Sequence, residues 1–236
     1  MDNHIIIIPF NLPNDSLSIY EGKNCWMDRR IDLFKKYTLP SFNKQSDKEF
    51  HLIILVDPET PKKYLDILKS FEKKYLFFNI LYTIEQSGNQ LESSLLELYD
   101  NIRTNTSEII LSSRCDNDDS VHQYYIETIK NSIGDFEVLS LAKGLYWDIN
   151  QNQFLNSTFP TGPFLTTQSS IKKFKNPRGD NHHNIITNNN SKILTEGLPM
   201  WIQIIHGENL WNRLDRMPGE LCEVNIEDLK THFNFI

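Results

Sequence analysis

The chain has 236 residues, 39% of them hydrophobic and 23% charged, which suits a globular protein with a sizeable core and argues against disorder. Its formal net charge of −7 disfavours a broad electrostatic grip on nucleic acid but is compatible with a local basic pocket for phosphates. Cys25, Cys115 and Cys222 lie far apart with no Cys-x-x-Cys spacing, which argues against a zinc knuckle or disulfide framework and for a reducing, cytoplasmic setting.

At the start, "HIIIIPF" (4–10) is a β-branched apolar run that predicts a fully buried strand. It is too short for a signal peptide and far below the about 20 apolar residues of a spanning helix, so a soluble chain is expected. Trp26, Ile31, Phe34 and Tyr37 predict a helix ending near Pro40. "FHLIILVD" (50–57) predicts a second buried strand, closed by a turn whose Thr60 would cap a helix opening at Pro61. A third strand is expected over 76–84, a helix over 91–102, a fourth strand over 107–113 and a helix over 121–131. Alternating strands and helices imply a mainly parallel sheet flanked by helices, with ligands bound at the carboxyl ends of the strands.

Beyond about residue 135 the pattern changes. "DFEVLSLAKGLYWDINQNQFLNSTF" predicts strands, with an antiparallel hairpin turning near Asn150, and 176–192 reads as an exposed polar loop. "WIQII" predicts a buried segment in which Trp201, Ile204 and Ile205 pack, and an amphipathic tail follows. The expected organisation is one domain, with an α/β half (1–133) and a half with hairpin and helical elaboration (134–236).

The fourth strand runs into "RCDNDDS", where Asp116, Asn117, Asp118 and Asp119 crowd together. One reading is a wet turn, with Asp119 or Ser120 capping the next helix. A calcium loop counted from Asp116 fails at its sixth position, Val121, where the turn needs glycine. A phosphatase Asp-x-Asp normally lies on an early strand, and here Asp119 replaces its usual Thr or Val follower. The remaining reading is a D-x-D metal motif: carboxylates two residues apart point the same way and grip Mn²⁺ or Mg²⁺, which would bridge the diphosphate of a nucleotide donor. Cys115 reads as a packing residue, since no basic pattern marks it as a nucleophile.

In the order "NCWMDRRIDLFKKYTLPSFNKQSDKEFHLIILVDPETP", "SRCDNDDSV" and "PMWIQIIHGENL", the chain resembles the putative rhamnosyltransferase family of GT-A-type glycosyltransferases. The resemblance runs from about Phe10 to Asn209 and implies a GT-A-like, Rossmann-like fold. It further implies a nucleotide diphosphate sugar as donor, Mn²⁺ or Mg²⁺ as cofactor, and a glycan or lipid-linked acceptor, the last bringing peripheral membrane contact.

Residue by residue, the resemblance puts Asn11, Arg30, Asp57, Arg114, Asp116, Gly207 and Asn209 at the donor, and Asp116, Asp118 and His206 at the metal. Asp57 is then a base-binding acid, or else a turn residue. Arg30 is a site residue or a surface charge, and Arg114 reaches the phosphates or only pairs with the acids. Asp119 is a ligand or a helix cap. Family members often carry Thr-Arg where this chain has Ile8-Pro9. His182 and His183 are solvent-exposed, or contact the acceptor, or form a lid. An inverting transfer also needs a general base; Asp180, Glu208 and Glu220 are candidates that spacing does not separate. A nucleotidyltransferase is disfavoured because "PFNLPNDS" lacks a Gly-rich basic loop. The other rival is a glycosyltransferase-like module that binds without turning over.

Overall fold

The structure is a computed structural model that describes residues 3–13, 23–104, 106–209 and 213–235. Four parallel strands form its centre: β1 (His4–Pro9), β2 (His51–Val56), β3 (Phe78–Tyr82) and β4 (Ile109–Arg114), side by side as β3-β2-β1-β4. Burial on both faces explains why β1 and β2 read as unbroken apolar runs. Ile6 and Ile8 of β1 join Phe34, Tyr64 and Leu68 on one face, while Ile5 and Ile7 join Leu91, Leu95 and Tyr99 on the other. The helices supplying those partners include α3 (Lys62–Lys74) and α4 (Asn89–Ile102).

The sheet then turns mixed. β9 (Leu165–Ser170) pairs antiparallel with β4, β6 (Val138–Leu141) antiparallel with β9, and β10 (Ser191–Leu194) parallel with β6, giving seven strands. A second, five-stranded sheet has the order β12-β8-β7-β11-β5: Glu220–Cys222, Gln153–Thr158, Lys143–Asp148, Trp201–Ile205 and Ser120–Val121. The expected hairpin is β7–β8, whose turn holds Asn152 at φ 51°. The fold is therefore α/β with two mixed sheets flanked by helices, less purely parallel than the early strands suggested, and strands from beyond residue 134 complete both sheets.

Several local expectations need correction. The first helix does not stop near Pro40. α1 (Lys23–Leu33) passes into a π-helical turn (Phe34–Thr38) and then α2 (Leu39–Asn43), which carries Pro40 in its first turn. Thr60 does not cap α3: its hydroxyl donates to the Asp57 carbonyl, and Pro61 stands at the N-cap. Neither Asp119 nor Ser120 caps a helix, because Ser120–Val121 forms β5 against β11 and the helix α5 begins at Tyr125 (Tyr125–Asn131). The polar loop 176–192 contains a short helix, α6 (His182–Thr187), and the edge strand β10. The amphipathic tail is α7 (Ile226–Phe233), which buries Leu229 and Phe233 against Trp147, Ile202 and Ile204 of the second sheet.

Trp201, fully buried on β11, stacks on Phe164 at 4.8 Å and donates from Nε1 to the Leu141 carbonyl at 2.7 Å. Its room comes from Gly144 on the neighbouring β7, where an added Cβ would lie 2.0 Å from the indole. Gly144→Ala is expected to lower unfolding stability by about 1–3 kcal/mol through overpacking, read as a fall in the urea midpoint at unchanged m-value.

Candidate active site

Strand order reverses between β1 and β4, and a crevice opens at their carboxyl ends, the place where parallel α/β sheets bind ligands. A cavity of about 820 Å³ lies there, lined by the end of β1, the acidic turn after β4, and Arg30, Arg114, Arg178 and Arg216. Asn117 joins the two strand ends: its amide nitrogen donates to the Pro9 and Phe10 carbonyls at 3.1 and 2.8 Å. Asn11 does the same between β1 and β2, donating to Thr60 Oγ1 at 2.6 Å and accepting from the Asp57 N–H at 3.3 Å. Both asparagines use their amides to fix loop backbone, and both line the cavity.

The three aspartates have separate surroundings. Asp119 is buried and turned away from the cavity. Its oxygens accept from the Ile204 N–H at 3.1 Å and from Gln203 Nε2 at 3.3 Å, which ties the acidic turn to β11. Burial, then the charges of Asp118 and Asp116, push its carboxyl well above the usual carboxylate range. Asp118 is buried too, but Oδ2 meets an Arg30 Nη1 in close contact and His206 Nε2 at 3.0 Å. Burial pulls Asp118 upward; Arg30 and His206 outweigh it and hold the carboxyl below its ordinary value. Asp116 is half-exposed and pairs through Oδ1 with Arg178 Nη1 at 3.1 Å.

The arginines face these acids. Arg30, on α1, bonds Asn117 Oδ1 at 3.1 Å with the same Nη1 and lies over the Trp26 ring at 5.3 Å. Its Nε and Nη2 have no partner among the described residues, so the guanidinium is fixed by one edge and open at the other. The Arg114 guanidinium makes no hydrogen bond or ion pair among the described residues. Burial and the nearby charge of Arg178 lower its pKa to about 10, so it is still a cation at neutral pH.

His206 follows β11, and Asn209 orients it by accepting from its N–H at 2.8 Å while donating to the Ile204 carbonyl at 2.9 Å. Among the described residues, the buried His206 Nδ1 has no partner. Gly207, at φ 83°, lies beside Asn150 and lines a neighbouring cavity rather than this one. Asp57 spends Oδ1 on the Glu59 N–H at 2.8 Å and does not line the cavity. The expected metal set is thus only partly gathered. Asp118 and His206 meet, Asp116 turns to Arg178, and among the described residues no three His, Cys, Asp or Glu side chains converge as a metal cage.

Residues 16–215 match the model of a family described as putative rhamnosyl transferase. The chain belongs to that family. No curated protein matches its sequence. Among solved structures it is similar in fold to S. aureus TarS 1-349 (12% identity, TM-score 0.51) and to the same fragment in complex with UDP (13%, 0.51). It covers 86% of itself and 60% of those chains; against the longer S. aureus TarS the TM-score is 0.50 with 37% of that chain covered. The chain therefore spans less than two thirds of the length of these solved structures.

Within this family member, the sequence pattern missed Arg178, Gln203 and the strand-joining role of Asn117. Arg178 sits in "NPRGD", which signals only a turn, and becomes a site residue because β9 returns beside β4. Gln203 was hidden in an apolar run. Cys115 is buried, as a packing residue should be, and burial raises its thiol pKa. No described helix is long and apolar enough to cross a membrane.

Proposed function

We propose that the chain transfers a sugar, rhamnose being the family's namesake, from a nucleoside diphosphate sugar to a hydroxyl on a glycan or lipid-linked acceptor, on a GT-A-like scaffold. One observation carries the reading: Arg114 presents a half-buried cation with no partner among the described residues, next to Arg178 and inside the cavity at the strand-order switch. An unpaired cation in such a place costs stability unless an anion arrives to offset it. A diphosphate matches the guanidiniums of Arg30, Arg114 and Arg178, which line one cavity, because planar forks recognise phosphate bidentately. Family membership supports the reading of sugar transfer. The cysteine pattern supports a cytoplasmic setting, with Cys115 and Cys222 free.

Asp116, Asp118 and His206 would be the donors for Mn²⁺ or Mg²⁺, and in their present arrangement they do not fit one. Arg30 and His206 both direct donors at Asp118 Oδ2, and Arg178 takes Asp116 Oδ1. In this reading the acids act by holding arginines in place, and the arginines stabilise negative charge as the diphosphate departs. Thermal unfolding with UDP, dTDP and GDP sugars tests both points. At least one sugar nucleotide should raise the midpoint, and the rise should survive EDTA. Stabilisation by none of them would sink the donor reading; a rise that needs Mn²⁺ would overturn the arginine reading alone.

A further inference from the structure

Transfer to a hydroxyl needs a base, and none of the acidic candidates reaches the cavity. Asp180 is exposed and spends its oxygens on Asn181 and Asn184; Glu208 pairs with Arg29; Glu220 lies exposed on β12. His182, the first residue of α6, does line the cavity, together with Arg114 and Asp116. Its Nδ1 makes a close hydrogen bond with the Thr161 main-chain carbonyl. A carbonyl only accepts, so Nδ1 carries the proton and Nε2 is left as a lone pair. Phe159 backs the ring edge-on at 6.0 Å, and among the described residues Nε2 has no partner and is not sealed from solvent.

We propose that His182 is the general base of the transfer, an assignment that rests on the sugar-transfer reading above. Nε2 takes the proton from the acceptor hydroxyl while the hydroxyl oxygen bonds to the anomeric carbon. The bond from that carbon to the diphosphate oxygen breaks, and its electron pair leaves with the nucleoside diphosphate. The proton on His182 then passes to water. A single displacement of this kind inverts the anomeric centre.

The charged neighbours are arranged to keep the ring neutral. Burial lowers its pKa below the ordinary histidine value, and Arg114 and His183 push the same way against the Thr161 carbonyl and Asp116. A neutral imidazole at pH 7 is what a base requires, and the rate should fall as pH drops through this lowered pKa.

The test uses the full chain and His182→Asn, whose amide can still donate to Thr161. Hydrolysis of UDP-glucose, UDP-N-acetylglucosamine and dTDP-rhamnose, with water as acceptor, is followed by nucleoside diphosphate release. The variant should lose about 10²–10⁴-fold in rate while the stabilisation it gains from the nucleoside diphosphate is unchanged, and its residual rate should lose the acidic limb. A variant within threefold of the native rate, with that limb intact, would overturn the assignment. Histidine ¹⁵N NMR checks the ring without any substrate: a neutral Nδ1–H tautomer is expected at pH 7, and a charged ring or the Nε2–H tautomer would also overturn it. If no nucleotide stabilises the native chain, the sugar-transfer reading itself fails and takes the base with it, whatever the NMR shows.

Discussion

Asp119→Ala is expected to cost about 2–4 kcal/mol of stability, because two donors of β11 lose the acceptor they share inside the core. The carboxylate accepts from the Ile204 N–H and Gln203 Nε2, and both residues are buried. Water does not readily replace it there. Asp119→Asn should cost less, since its amide oxygen still accepts from the Ile204 N–H. Chemical unfolding at pH 7 would measure both, and an alanine variant within 0.5 kcal/mol of native, a change typical of surface sites, would show that the tie carries little.

The pH dependence has a definite sign. The folded carboxyl of Asp119 holds its proton above the unfolded pKa, so the native state binds more protons than the unfolded one in that window. Stability contributed by this group is therefore present at low pH and declines as pH rises from the unfolded carboxylate value toward the raised one. Asp118 works in the opposite sense: its lowered pKa adds stability that is lost as pH falls below the unfolded value. Asp119→Asn should remove the first slope and leave the second.

These contrasts show what the sequence could and could not convey. β1, β2 and β4 were legible because strands buried on both faces need continuous apolar residues, and the turn after β4 was legible because a charge cluster at a strand end is conspicuous. The division of labour within "DNDD" was not. Residues 116–119 look alike in one dimension, and only the return of β11 beside β5 turns Asp119 inward while Asp118 meets Arg30. Arg178 was hidden, and His182 was named only among open alternatives, since a polar turn-rich segment carries no periodicity to say that β9 and α6 bring it back to the cavity. Pro40 misled for a related reason: the chain absorbs it through a π-helical turn that depends on packing by Phe34 and Tyr37.

Arg114→Met should separate binding from folding. The guanidinium makes no hydrogen bond or ion pair among the described residues, so its removal relieves an unpaired, half-buried cation while keeping the apolar stem. Stability should be unchanged or slightly higher. Affinity for a nucleoside diphosphate, read by calorimetry, should fall by about 10- to 150-fold, the equivalent of about 1.5–3 kcal/mol for charge-assisted hydrogen bonds. Arg30→Met should behave differently, because it strips Asp118 of its nearest positive charge: both stability and affinity should drop. Adding Asp118→Asn to Arg30→Met should restore much of the stability by removing the stranded carboxylate, yet leave affinity low. If Arg114→Met instead destabilised the fold and bound nucleotide normally, the guanidinium would be a structural group, and the cavity would lose the feature that best explains why an anion should enter it.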